Sequence, residues 1–253
     1  MTGIREKSMM NPGTVKTPRR EALLALLAFG AVVGALVGCG QKQTAMETVP
    51  AYLPSPEALW RLKHVVLVEL DRRDASPQVA RELSESVFLA VQDRRVFPVD
   101  FVRSASPVAA LLPTGQGPRF SLEQLNDMRS TLQCDAVMVG AVTGFEPYPG
   151  AWMAVQVWLI DLRTGRVLWG VDHAWRTTDE PTSKRMQRYF APAGCQDESD
   201  PLRLAEMSPR MLGNFVAWEL AKALPQPPGV ADSEPRRSPV AKALAETKKI
   251  FTN

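Results

Sequence analysis

Three runs in this chain are apolar almost throughout yet too short to cross a membrane. They are His64–Leu70 (HVVLVEL), Ala136–Val142 (AVMVGAV) and Ala151–Ile160 (AWMAVQVWLI). A spanning helix needs about 20 such residues. Runs of this length, rich in Val, read instead as strands covered on both faces. Helical stripes lie around them. Val79, Leu83, Val87 and Val91 recur every fourth residue within 77–93, behind Ser76-Pro77, a suitable cap with Pro at the first helical position. Ser121 and Gln124 form the pattern of a capping box opening a helix to about Gln133. A third stripe, over 202–224, carries Met211, Phe215, Leu220 and Leu224. Val96–Val102 is a further strand whose Pro98 assigns it to a sheet edge. In the last strand Val167, Trp169, Val171, His173 and Trp175 alternate with Gly170, Asp172 and Arg176, so one face meets solvent. Asp161–Arg166 joins it to the strand before, with Gly165 where a tight turn needs positive φ. The fold class expected is α/β: a single domain with a mixed sheet of about five strands in β-α-β-α-β-β-β order, packed by helices and closed by a long C-terminal amphipathic helix.

The N-terminus carries a different signal. Arg5, Lys7, Lys16, Arg19 and Arg20 precede an uncharged run from Ala22 to Gly38. A basic segment followed by a short apolar run is the layout of an export signal. The run ends in Leu36-Val37-Gly38-Cys39, which resembles the bacterial lipobox. That resemblance implies cleavage between Gly38 and Cys39, a diacylglycerol on the Cys39 thiol and an acyl group on the new amino terminus. No other cofactor is expected. The chain then divides into a signal peptide over 1–38, a lipidated tether over 39–58, a periplasmic domain over 59–224 and a Pro-rich tail over 225–253, expected to be largely disordered.

Charge is read after the signal is set aside. The chain has 30 Lys+Arg and 27 Asp+Glu, of which five and two lie in 1–38, so the remainder carries 25 of each. A neutral body without a basic stripe gives no footprint for nucleic acid. Cys134 and Cys195 are the candidates for a disulfide in an oxidising compartment.

The strand HVVLVEL, then CDAVMVGAVTGFEP, then LIDLRTGRVLW form a recurring layout. Over roughly 60–220 it resembles the periplasmic α/β domain of curli-secretion lipoproteins and of the lipoprotein activators of penicillin-binding proteins. The resemblance implies a non-enzymatic envelope lipoprotein on the periplasmic face of the outer membrane of a diderm host, acting as an adaptor, assembly factor or activator on another envelope protein, with a homo-oligomer as an option. A secretion-pore subunit is the alternative. Pore-forming hairpins need over 20 residues of alternating pattern, and neither 103–120 nor 176–200 has it. A periplasmic hydrolase is the third reading.

No nucleophile elbow, phosphate loop or metal spacing is present, and no catalytic residue is assigned. His173 is weighed as a base with Asp172 or Asp179, against a half-buried histidine held by a backbone carbonyl. Asp161 is expected to be a turn residue. The segment 176–200 reads as a long loop, and Trp175, Arg185, Arg188 and Tyr189 are proposed there as a partner surface.

Overall fold

The computed structural model describes residues 48–106, 119–190 and 208–230. The expected signal peptide, Cys39, Cys195 and most of the Pro-rich tail lie outside the described residues.

Four of the five described helices begin after a serine, and in two of them its side chain caps the first turn. The chain runs β1 (Ala51–Tyr52), α1 (Pro56–Trp60), β2 (Val65–Val68), β3 (Asp71–Arg72), α2 (Pro77–Arg94), β4 (Val99–Val102), α3 (Leu122–Leu132), β5 (Ala136–Glu146), β6 (Trp152–Asp161), β7 (Val167–Arg176), α4 (Glu180–Phe190) and α5 (Pro209–Lys222). The Ser76 hydroxyl accepts from Val79 N at 3.3 Å at the start of α2. At α3 both halves of the capping box form: Gln124 N donates to Ser121 Oγ and Ser121 N to Gln124 Oε1.

The sheet order is β1-β7-β6-β5-β2-β4, with β3 beside β5. β2 is parallel to β4 and β5, and β5, β6 and β7 are antiparallel. The expected α/β class and mixed sheet are therefore present, with two added two-residue strands. β4 begins just after Pro98 and lies on the edge, where the missing N–H costs no ladder bond. The turn after β6 has Gly165 at φ +69, and Asp161 binds its own loop, accepting from Arg163 N and Thr164 Oγ1 at 2.8 Å.

Helices α2 and α5 cover one face. Met153, Val155, Val157 and Leu159 of β6 join Leu83, Val87, Phe215 and Leu220 in the larger core. A smaller core lies on the other face, where Leu125 and Met128 of α3 cover Val66, Val137 and Ile160. The end of α5 is pinned from three sides. Arg94 Nε donates to Leu224 O, Trp169 Nε1 to Ala223 O and Trp60 Nε1 to Pro225 O, each at 3.2 Å. These contacts satisfy the carbonyls of the C-cap, Ala223, and of the two residues beyond it.

Four expectations are corrected. The tether does not extend to residue 58: Val49 is buried, β1 pairs with β7, and α1 packs beneath it. The start of the tail is likewise packed, since Pro225 and Gln226 bond back to Trp60 and Arg94. The segment 176–200 is not all loop, because α4 occupies Glu180–Phe190 and buries Thr182, Met186, Tyr189 and Phe190. The alternation of β7 is broken by a shift between Leu159 and Ile160, which leaves Leu168 as an extra residue. That bulge moves Val167 to the smaller core, opposite the face of Trp169.

Candidate interaction surface

The two faces of the sheet are unequally covered. In β6 the residues facing α2 and α5 are fully buried, whereas Trp152, Ala154, Gln156 and Trp158 on the other side are half-buried. The smaller core under α3 covers the part of this side formed by β2, β5, the end of β6 and Val167 of β7, with Trp158 packed at its margin. The remainder belongs to β6 and β7. Across it Trp152 pairs with Arg176, Gln156 with Asp172, and Trp158 with Gly170.

Two indoles lie flat on this face because glycines allow it. A Cβ on Gly170 would fall within the Trp158 ring, and one on Gly144 within the Trp152 ring. The aromatic ring replaces the side chain that the cross-strand glycine lacks. Between the indoles, Gln156 Nε2 donates to Asp172 Oδ2 at 2.9 Å. Trp152 Nε1 donates to Glu146 Oε2 at 2.9 Å, and the Arg176 guanidinium sits 4.9 Å from its ring. Trp158 Nε1 is buried without a hydrogen-bond partner.

A groove of about 670 Å³ opens beside Trp158. Its walls are Tyr52 and Pro54 from β1 and its following turn, Ala58 from α1, Arg166 just before β7 and Leu168 within it. Tyr52 is 56% exposed. The groove thus offers an apolar floor, one cation and an aromatic rim. Large, rigid aromatic and Arg side chains are what protein contacts use as anchors.

The residues assigned to a partner surface from sequence are placed differently. Trp175 and Tyr189 are fully buried and Arg185 nearly so; only Arg188 is exposed. They stabilise the fold instead. Trp175 Nε1 donates to Glu219 Oε2 at 3.0 Å, and Arg185 Nε reaches both Glu219 oxygens at 3.0 Å. Tyr189 packs on Phe190, Phe215 and Trp218. Burial raises the Glu219 carboxyl above its ordinary range, opposed mainly by the Arg185 charge. Glu219 was not foreseen. Its signal was a charge on the apolar stripe of α5, four residues after Phe215.

His173 lies edge-on to Trp175, ring centroids 4.8 Å apart. Among the described residues no hydrogen bond reaches its ring, neither from the expected carbonyl nor from Asp172, whose carboxylate is engaged by Gln156 on the other face. Burial and the Arg185 charge lower its pKa. The second histidine has a structural setting. His64 Nε2 contacts Asp100 Oδ2 at 2.8 Å and Nδ1 contacts Gln133 O at 3.1 Å. Asp135 accepts from Lys63 N and His64 N, which ties the start of β2 to that of β5. Cys134 is buried and unpaired, its thiol pushed up to about 11 by desolvation, and its proposed partner Cys195 lies outside the described residues. Among the described residues no three His, Cys, Asp or Glu side chains are grouped to hold a metal, and no helix is long and apolar enough to cross a membrane.

No family model and no curated protein sequence matches the chain. Among solved structures it is similar to the PelC dodecamer from Paraburkholderia phytofirmans, at 17% identity and TM-score 0.38, covering 54% of this chain and 87% of that one. It is also similar to lipoprotein GNA1162 from Neisseria meningitidis, at 17% identity and TM-score 0.33, covering 45% and 82%. The LpoB C-terminal domain from Escherichia coli gives 16% identity and TM-score 0.31, over 45% and 82%.

Proposed function

We propose that this protein is a lipid-anchored lipoprotein of the bacterial envelope, held on the periplasmic face of the outer membrane, that acts without catalysis by binding another envelope protein. The observation that carries the reading is Leu36-Val37-Gly38-Cys39 at the close of the uncharged run Ala22–Gly38. A thiol at that position is where a diacylglycerol is transferred, and the small Gly38 suits the protease that follows. Gly40 after the cysteine is not the Asp that retains lipoproteins in the inner membrane of many diderm bacteria.

The binding role rests on the groove beside Trp158. It combines an aromatic rim, the Arg166 cation and a buried donor without a partner. An extended segment of the partner protein would lie across Tyr52 and Leu168.

Two measurements test the reading. Cys39→Ser should abolish incorporation of a fatty-acid probe and leave an uncleaved precursor. Equal labelling of variant and parent would sink the anchor. A photocrosslinker placed at Tyr52 in living cells should give a discrete adduct that Trp158→Ala removes. A crosslinker at Arg163, in the turn after β6, should give none. Adducts that ignore Trp158 would refute the groove as the binding site.

A further inference from the structure

The direction in which the chain enters the domain orients one end of the sheet. β1 is antiparallel to β7, with Ala51 opposite Val171 and Tyr52 opposite Gly170. Moving upstream from Ala51 therefore moves toward the C-terminal end of β7. At about 3.3 Å per residue, Thr48 lies roughly 10 Å further along, near the level of Ala174. Arg176 at that end pairs with Trp152, and Trp152 with Glu146. The turn between β5 and β6 is thus at the end of the sheet where the chain enters. The turn between β6 and β7 is at the other end.

The chemistry of the first turn is unusual for an exposed loop. It reads Pro147-Tyr-Pro-Gly150 and has no charge. Tyr148 at its apex is 80% exposed. Beneath it Trp152 is held by Glu146 and stacked by Arg176, and Thr177 N closes the base on Ala151 O at 3.0 Å. An uncharged aromatic apex above a collar of Trp, Arg and Glu matches the headgroup layer of a bilayer, where an apolar body and a polar tip are both satisfied.

Nine peptide units separate Cys39 from Thr48. Fully extended they reach about 30–32 Å, and as a flexible coil typically about 15–18 Å. A lipid on Cys39 therefore keeps the end of the domain at Thr48 within that distance of the membrane surface.

We propose that the β5–β6 turn, with Tyr148 at its apex, rests in the headgroup layer of the membrane that holds the Cys39 lipid, so that the domain stands on this end. The inference depends on the lipid anchor proposed above. The Trp–Arg–Glu collar carries one charge of each sign, so the contact is aromatic and does not require anionic lipid. The β6–β7 turn and the neighbouring groove, at the far end, then face away from the bilayer and are open to a partner.

The full lipidated chain, purified from bacterial membranes, is reconstituted into phosphatidylcholine vesicles and, separately, into vesicles of phosphatidylethanolamine and phosphatidylglycerol. Benzoylphenylalanine replaces Tyr148 in one variant, Pro147 in a second and Arg163 in a third, all exposed positions where the fold tolerates a new ring. Flotation with the vesicles is read first, then phospholipid adducts by mass. Ten residues of β6, at about 3.3 Å each, set the two turns roughly 33 Å apart, so adducts from 147 and 148 should exceed those from 163 by about fivefold or more in both lipid mixtures. Floating protein with equal or weaker adducts at 147 and 148 overturns the seated turn and leaves the anchor standing. Adducts seen only with the anionic mixture overturn the aromatic contact in favour of a charged one. Protein that does not float overturns the anchor, and this inference with it.

Discussion

At the residue scale, the ion pair between Arg185 and Glu219 has the most at stake. Both side chains are nearly removed from solvent, at 11% and 1% exposure, so neither charge is screened by water once its partner is lost. Arg185→Met should cost about 3–5 kcal/mol, the range for stranding a buried charge. Adding Glu219→Gln should recover part of the loss, because the amide oxygen still accepts from Trp175 Nε1. Urea unfolding of the chain from residue 40 onward measures both, and equal destabilisation by single and double variants would refute the account. His64 supplies a pH dependence. Its pKa is raised, first by the Gln133 carbonyl and then by the Asp100 carboxylate. The folded state therefore binds the proton more tightly than the unfolded chain. Stability from this group is complete below the ordinary histidine range and is lost as pH rises through the raised value. His64→Gln should flatten that part of the pH profile, and an unchanged slope would show that the two contacts do not act on the proton. His173 works in the opposite sense, with its loss on the acid side, so the two histidines separate by direction.

At the scale of elements, the β6–β7 pair depends on an aromatic laid over a glycine. A methyl at position 170 has no space while Trp158 lies flat on it. Gly170→Ala should cost about 1–3 kcal/mol, as for other overpacked sites. Combined with Trp158→Ala, the penalty at 170 should nearly vanish, and a double-mutant cycle by urea unfolding reads the coupling. Additive effects would mean that the ring is free to move aside. The strands, α2 and α3 were legible because each repeats one period, and their caps are local chemistry. α4 was not read from the sequence. Its stripe of Thr182, Met186, Tyr189 and Phe190 was present at helical spacing but was hidden among four charged residues. The phase of β7 was misread for a different reason. A bulge at Leu168 is set by pairing with β6, and no residue in β7 announces it.

At the scale of the whole molecule, the proposed lipid on Cys39 would lie nine residues before Thr48, where the described domain begins. With Val49 already buried, the link is shorter than the sequence reading allowed. Under the proposed anchor, a partner of the domain is expected close to the membrane. Gly40→Asp should move the protein from outer-membrane to inner-membrane fractions on a sucrose gradient. A native protein that already co-migrates with inner-membrane markers would defeat the outer-membrane assignment.

Sequence alone determined the five longer strands, the helices with good caps, the edge position of β4 and the turn at Gly165, because each follows from hydrophobic period, backbone restriction or a missing N–H within a few residues. It also supplied the proposal of a lipid anchor, because Leu36-Val37-Gly38-Cys39 resembles a linear motif that is read without any tertiary structure. The candidate surface was settled only by tertiary structure. Trp152, Trp158, Trp169 and Trp175 are chemically alike and lie within one hairpin. Which two fill the core and which two lie on the uncovered face depends on which side α2, α4 and α5 pack. The same packing buried Trp175, Arg185 and Tyr189 and paired β1 with β7. Side-chain identity sets what a residue can do; the neighbours that remove it from water come from distant parts of the chain.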